Sequence, residues 1–176
     1  ARVSHVFDAL LSRHPAVQQL RMELFESGRA ELRVASMAGG PGFDCAALAL
    51  LASYLASQTR LCCTVFEHEL GWGHQLAALE QQLALRFEDS HHLEGPTLGS
   101  RFSRLDLQHC DITLPLDHPQ NEKLAAAVKE GVDLFIFGYV VHEVEAFLRP
   151  TGAPVSAGVG GIFPGLLGGC TCRASS

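Results

Sequence analysis

The sequence predicts an α/β domain built on an open parallel sheet. Three observations predict it. Four short apolar runs are separated by helical patterns, and runs apolar on both faces belong to strands covered on two sides. A glycine segment, Gly39-Gly40-Pro41-Gly42, follows the first run directly. A carboxylate, Glu67, closes the second.

The elements follow in order. Val3, Val6, Phe7, Leu10 and Leu11 lie on one helical stripe. Pro15 suits a first helical turn, and Val17, Leu20, Leu24 and Phe25 continue a second helix that Gly28 stops. Residues 31–37 read as a short buried strand. Residues 44–56 are helical and apolar nearly all round, which predicts burial on more than one side. Residues 60–66 form the second strand and Glu67 ends it. Leu76, Leu79, Leu83 and Phe87 mark the inner face of the next helix. A polar stretch over 88–100 leads to a third strand at 105–112. Pro119 opens a helix with Leu124, Ala127 and Val128 inward, and residues 133–141 form the fourth strand. Residues 1–30 are thus read as N-terminal helices packing on a core at 31–150, and 151–176 as a glycine-rich, loosely structured tail.

Composition narrows the function. A chain of 176 residues makes one domain of ordinary size and buries roughly 70% of its unfolded surface without metal or disulfide. The net charge is -6, and Lys occurs only at Lys123 and Lys129, so nucleic-acid binding has no support in charge. Four of the six cysteines sit in apolar runs, and Cys170-x-Cys172 is a lone pair, so reduced thiols and no metal site are expected. No apolar run is long enough to span a membrane. With no secretory signal either, the expected location is cytoplasmic or nuclear.

The glycine segment is more than a strand-to-helix turn requires. Glycines permit φ > 0 and close backbone approach, and the following helix offers free N–H groups at the same place, so a ligand cradle is expected. A phosphate-binding P-loop is excluded, because no Lys followed by Ser or Thr comes next. Dinucleotide binding lacks its third glycine: Gly40-x-Gly42 is followed by Phe43, Asp44 and Cys45. Glu67 stands where a carboxylate accepts both ribose hydroxyls. His142-Glu143 lacks the second His of a zinc protease, and Gly-x-Ser-x-Gly is absent. His68 and His74 flank the proposed ribose wall and are read as incidental to it, and Trp72 either shapes it or anchors a surface.

Four stretches in order, ASMAGGPGFD (35–44), TVFEHELGWG (64–73), QHCDIT (108–113) and DLFIFGYVVHE (133–143), resemble the successive motifs of class I S-adenosylmethionine-dependent methyltransferases. The likeness is greatest to members whose glycine motif reads G-G-G-P-G-x-D, and it covers roughly residues 32–143. It implies a Rossmann-like three-layer sandwich with a parallel sheet in the order 3-2-1-4. The later strands of that fold are not legible after residue 141, so a chain cut short at its C-terminus and a bare strand-four edge open to self-association are expected. It implies that Ala38, Gly39, Gly40 and Gly42 form the turn beneath the amino-acid part of S-adenosylmethionine, with Asp44 at the mouth of the helix. Glu67 would hold the ribose, Asp111 would accept from the adenine amino group, and Ile112 would lie against the ring. Tyr139, His142 and Glu143 would sit beside the reacting methyl, with His142 the best general base; the alternative for His142 and Glu143 is a structural role, His142 capping the helix after strand four. The methyl acceptor is unidentified.

The chain departs from the family at Ser36, near which many members carry an acid, and at Ala38, where they carry glycine. Alanine is expected to hold φ < 0, which would weaken cofactor affinity. A catalytically inactive S-adenosylmethionine sensor or partner subunit is therefore the alternative function. An NAD-linked oxidoreductase comes third.

Overall fold

The computed structural model describes residues 11–85 and 97–138. Its centre is a four-stranded, fully parallel sheet: β1 (Glu31–Met37), β2 (Arg60–Glu67), β3 (Phe102–His109) and β4 (Leu134–Phe137), in the spatial order β3-β2-β1-β4. Among the described residues four α-helices accompany it: α1 (Pro15–Arg21), α2 (Phe43–Tyr54), α3 (Gly73–Ala84) and α4 (Glu122–Glu130). The α/β architecture and strand order are those the sequence implies. The Tyr139, His142 and Glu143 positions, Val3, Val6, Phe7 and Leu10 of the first helical stripe, Phe87, and the tail from 151 lie outside the described residues.

Pro15 opens α1 behind His14, whose ring nitrogen accepts from the Ala16 N–H. The helix then widens into a π-helical turn at Met22–Glu26, which turns Leu24 and Phe25 into the core. Gly28, at φ +76, ends the segment.

Strand alternation divides the core in two. Leu32 and Val34 of β1 and Leu61, Cys63 and Val65 of β2 face α2 and α3, meeting Cys45, Leu48, Leu51 and Leu76. Ala35 and Met37 of β1 and Phe66 of β2 face the other way, against Leu124 of α4. Helices on both faces make the three layers. Eight of the twelve α2 residues are buried, as the all-round apolar pattern predicts. The four buried alanines among them let the helix lie close to the sheet. Phe43, Leu50 and Tyr54 form its exposed stripe.

Three elements differ from the sequence reading, one of them β4, which occupies Leu134–Phe137 where the sequence predicts 133–141; Gly138 lies past its end, and 139–141 lie outside the described residues. The third strand occupies Phe102–His109, not 105–112, because its register with β2 runs from Leu61↔Phe102 to Glu67↔His109. After His109 only the Cys110 N–H still reaches β2, donating to the Glu67 carbonyl. Ile112 is apolar and buried, yet it belongs to a turn. Nor is β3 buried on both faces: it is the sheet's outer strand, with Ser103 and Arg104 exposed. Pro119 opens a short 3₁₀ turn, Pro119–Asn121, and α4 starts behind it at Glu122.

Gly42 joins β1's turn to α2 at φ +83, and a Cβ there would meet the Leu76 Cδ1 at 2.6 Å. Gly28 has a similar φ, +76, and open space around it. Gly28→Ala should thus cost only the left-handed penalty of about 1–2 kcal/mol. Gly42→Ala should cost more, about 2–3 kcal/mol, because strain and a displaced leucine add. Urea unfolding of the two variants measures the difference; equal midpoints would contradict the packing around Gly42.

Candidate functional site

The C-terminal ends of β1, β2 and β3 stand side by side, and each carries a polar feature. At β1 the chain turns through Ala38, Gly39, Gly40, Pro41 and Gly42 into α2. Ala38 has φ +48, Gly40 φ +56 and Gly42 φ +83. The expectation that Ala38 would stay at negative φ is thus corrected: it enters the left-handed region at a cost of roughly 1–2 kcal/mol. Its N–H is held by the Phe66 carbonyl at 2.7 Å, which fixes the turn to β2 whatever the residue's preference.

Gly39 sits where no side chain fits. A Cβ there would lie 2.2 Å from the Ser36 Oγ and 3.2 Å from a Val65 methyl. Asp44 is buried in the first turn of α2 and accepts from the Ser36 hydroxyl at 3.3 Å. The helix N-terminus favours its negative charge. A Cβ on Gly138, just past β4, would lie 2.9 Å from the Asp44 Oδ2. Asp44 therefore braces the joint between α2, β1 and the end of β4.

Glu67 ends β2 with its carboxylate turned to the glycine turn. Its Oε2 accepts from the Gly40 N–H at 3.0 Å, and its Oε1 from the His68 N–H at 2.9 Å. A carboxylate offers about four acceptor sites. Oε2 therefore keeps capacity for a hydroxyl donor while it holds the turn.

Asp111 follows β3 in a turn built by its own side chain. Oδ1 accepts from the Thr113 N–H at 2.9 Å and from the Thr113 hydroxyl at 2.6 Å. Oδ2 faces the His68 Nδ1 at 3.9 Å. The His68 and His109 rings lie 5.5 Å apart, centre to centre. Desolvation pushes the Asp111 carboxyl up; the Thr113 hydroxyl and N–H, with His68 and His109, outweigh it and hold the group below its ordinary value of 3.8. Ile112, buried beside it, packs with Cys110, Phe66 and Leu124 in the core on the α4 side.

The structure thus brings together Ala38, Gly39, Gly40, Gly42, Glu67 and Asp111 at one sheet edge, with Asp44 behind and Ile112 below. Trp72 is partly exposed in the 3₁₀ turn after β2. His68, which the sequence places beside the ribose wall, faces Asp111 as well. Two participants escaped the sequence reading. Thr113 carries a faint signal, as Asp-x-Thr is a turn-forming spacing. Asn121, wholly buried, takes hold of the Asp111 turn from ten residues away, and no local pattern announces it. Among the described residues no group of His, Cys, Asp and Glu is arranged to hold a metal ion, and no helix is long and apolar enough to cross a membrane.

The lowered Asp111 carboxyl has a consequence for stability. A group depressed in the folded state contributes stability that is full above its unfolded value and lost as pH falls through its folded value. The stability advantage of the wild type over Asp111→Asn at pH 7 should therefore shrink as pH drops below 3.8. Urea midpoints of both proteins between pH 7 and pH 2 measure it; a difference independent of pH would contradict the ionised, hydrogen-bonded carboxylate.

Comparison with protein-family models, with curated proteins and with solved structures finds no match.

Proposed function

We propose that the chain binds S-adenosylmethionine across the ends of β1, β2 and β3 and transfers its methyl group to an acceptor. One observation carries the reading: two carboxylates, Glu67 and Asp111, close neighbouring strands beside a backbone cradle that admits no side chain at Gly39. That arrangement fits an adenosyl group bearing an amino-acid arm. The Gly40–Gly42 turn would lie under the arm, where backbone approaches closely. Glu67 would accept the ribose hydroxyls with the oxygens that already hold the Gly40 and His68 N–H groups. The Asp111 Oδ2, turned toward His68 and not bonded to Thr113, would accept from the adenine amino group.

The bound sulfonium supplies the electrophilic methyl for an in-line displacement. The chain's part is alignment and, for a neutral acceptor, removal of a proton. The family resemblance gives that proton to His142, with Tyr139 and Glu143 beside the methyl. The acceptor's identity is open to assay.

Calorimetry with S-adenosylmethionine and, separately, with NAD tests the reading. Micromolar or tighter binding of the former and none of the latter is expected. Glu67→Ala should remove two charge-assisted hydrogen bonds at about 1.5–3 kcal/mol each, a loss of roughly two to four decades in affinity. Unchanged affinity in the folded variant would remove Glu67 from the site. Release of S-adenosylhomocysteine in the presence of candidate amines, amides and hydroxyl compounds then tests transfer; tight binding with no release from any acceptor class would make the chain a sensor.

A further inference from the structure

Asn121 is fully buried, and every polar atom of its side chain is spent on one short segment. Its Oδ1 accepts from the Asp111 N–H at 2.9 Å. Its amide nitrogen donates to the Asp111 carbonyl at 2.9 Å, to the Pro115 carbonyl at 2.9 Å and to the Leu114 carbonyl at 3.2 Å. One side chain therefore grips both the N–H and the C=O of Asp111, and the two carbonyls three and four residues on. Satisfying four backbone groups in a buried place is a costly device to lose. It is more than α4 needs to begin, since the Asn121 N–H already bonds to the His118 carbonyl at 2.8 Å.

The grip acts on the direction of a carboxylate. Fixing both backbone groups of Asp111 fixes where its side chain leaves the chain. Thr113 then takes Oδ1 from two sides, which sets the carboxylate's rotation and turns Oδ2 toward His68. The outward oxygen is an acceptor only, because the group stays ionised near neutral pH. Such an oxygen attracts a purine that carries a 6-amino group. It repels one that carries a 6-oxo group, whose oxygen would face it with no proton between them.

We propose that Asn121 is a positioning residue that makes the site select a 6-amino purine over a 6-oxo purine, acting through the backbone of Asp111. The proposal rests on the S-adenosylmethionine reading above and adds the residue that sets its base specificity. Asn121 does not touch the ligand. It holds the turn from which Asp111 does.

The test uses the full chain, with S-adenosylhomocysteine and S-inosylhomocysteine as probes in calorimetry, and thermal unfolding in parallel. The wild type should prefer the adenosyl probe by about tenfold to a hundredfold, the worth of one hydrogen bond to a charged acceptor. Asn121→Asp keeps the shape and the acceptor but loses the three donated bonds. It should bring the preference near parity while S-inosylhomocysteine affinity falls less than about threefold, since that probe reads the ribose and amino-acid contacts. Asn121→Ala should act in the same direction. A purely structural role would lower both affinities together and leave their ratio intact, which would overturn the proposal. So would a wild-type preference below about threefold, or loss of the fold in both variants, which would assign Asn121 to global stability. If the wild type binds neither probe, the S-adenosylmethionine reading itself falls and takes this one with it. If the wild type binds with preference and Asn121→Asp keeps it, this proposal alone fails.

Discussion

Between β1 and α2 the chain passes a point with room for a hydrogen atom and nothing larger. The Ser36 Oγ and a Val65 methyl close on the Gly39 α-carbon from the sheet side. The rest of the site depends on that approach. It lets α2 start directly over the strand end, which seats the buried Asp44 against Ser36. It also brings the Gly40 N–H to the Glu67 carboxylate. A helix held off by the width of a side chain would cost Asp44 its hydroxyl partner and Glu67 its Gly40 donor. A buried carboxylate loses stability with each hydrogen bond taken from it.

The polar groups near the site fall into two kinds. Ser36, Asp44 and Asn121 are buried and committed to the protein. Glu67 and Asp111 are partly open: each Glu67 oxygen holds a backbone N–H and keeps a further acceptor site, while Asp111 spends Oδ1 on Thr113 and leaves Oδ2 facing His68. The first kind keeps the second in place. Three acidic groups at neighbouring strand ends would repel one another in an apolar setting. Here backbone N–H groups from Gly40, His68 and Thr113, together with the positive end of α2, spread the charge.

Much of this was legible in the sequence, and the reasons it stopped being legible are physical. The largely buried segments β1 and β2 are written as mainly apolar stretches, and their ends lie where the pattern puts them. The motif order that resembles the methyltransferases carried the strand order as well. The third strand was set three residues too late because Ile112 extends an apolar alternation that the hydrogen bonds abandon after Cys110. Side-chain burial and backbone pairing part company there, and only the first is written in residue type. Ala38 misled for a similar reason. Its intrinsic preference is overruled by one bond to the Phe66 carbonyl, a tertiary fact. Asn121 has no signal at all, since a buried amide serving a loop ten residues back looks the same in sequence as an exposed helix cap.

The pairing of β1 with β4 bears on how the chain reaches this state. β1 and β2 close through one helix, but the β4 partner of β1 arrives late: the bond from the Arg33 N–H to the Asp133 carboxylate spans a hundred positions of chain. Loop closure over that distance is entropically slow, so the sheet is expected to assemble outward from β1 and β2, with β4 docking last. Until then the central strand shows a bare edge to other chains, the condition in which growing polypeptides aggregate. The N-terminal end of that edge is where the cations are. Arg29 pairs with Asp133, and the Arg33 guanidinium bonds to the Glu130 carbonyl. Before docking these two arginines are unpaired charges beside an open strand and discourage strangers from joining it. After docking the same two charges bolt the right strand in place.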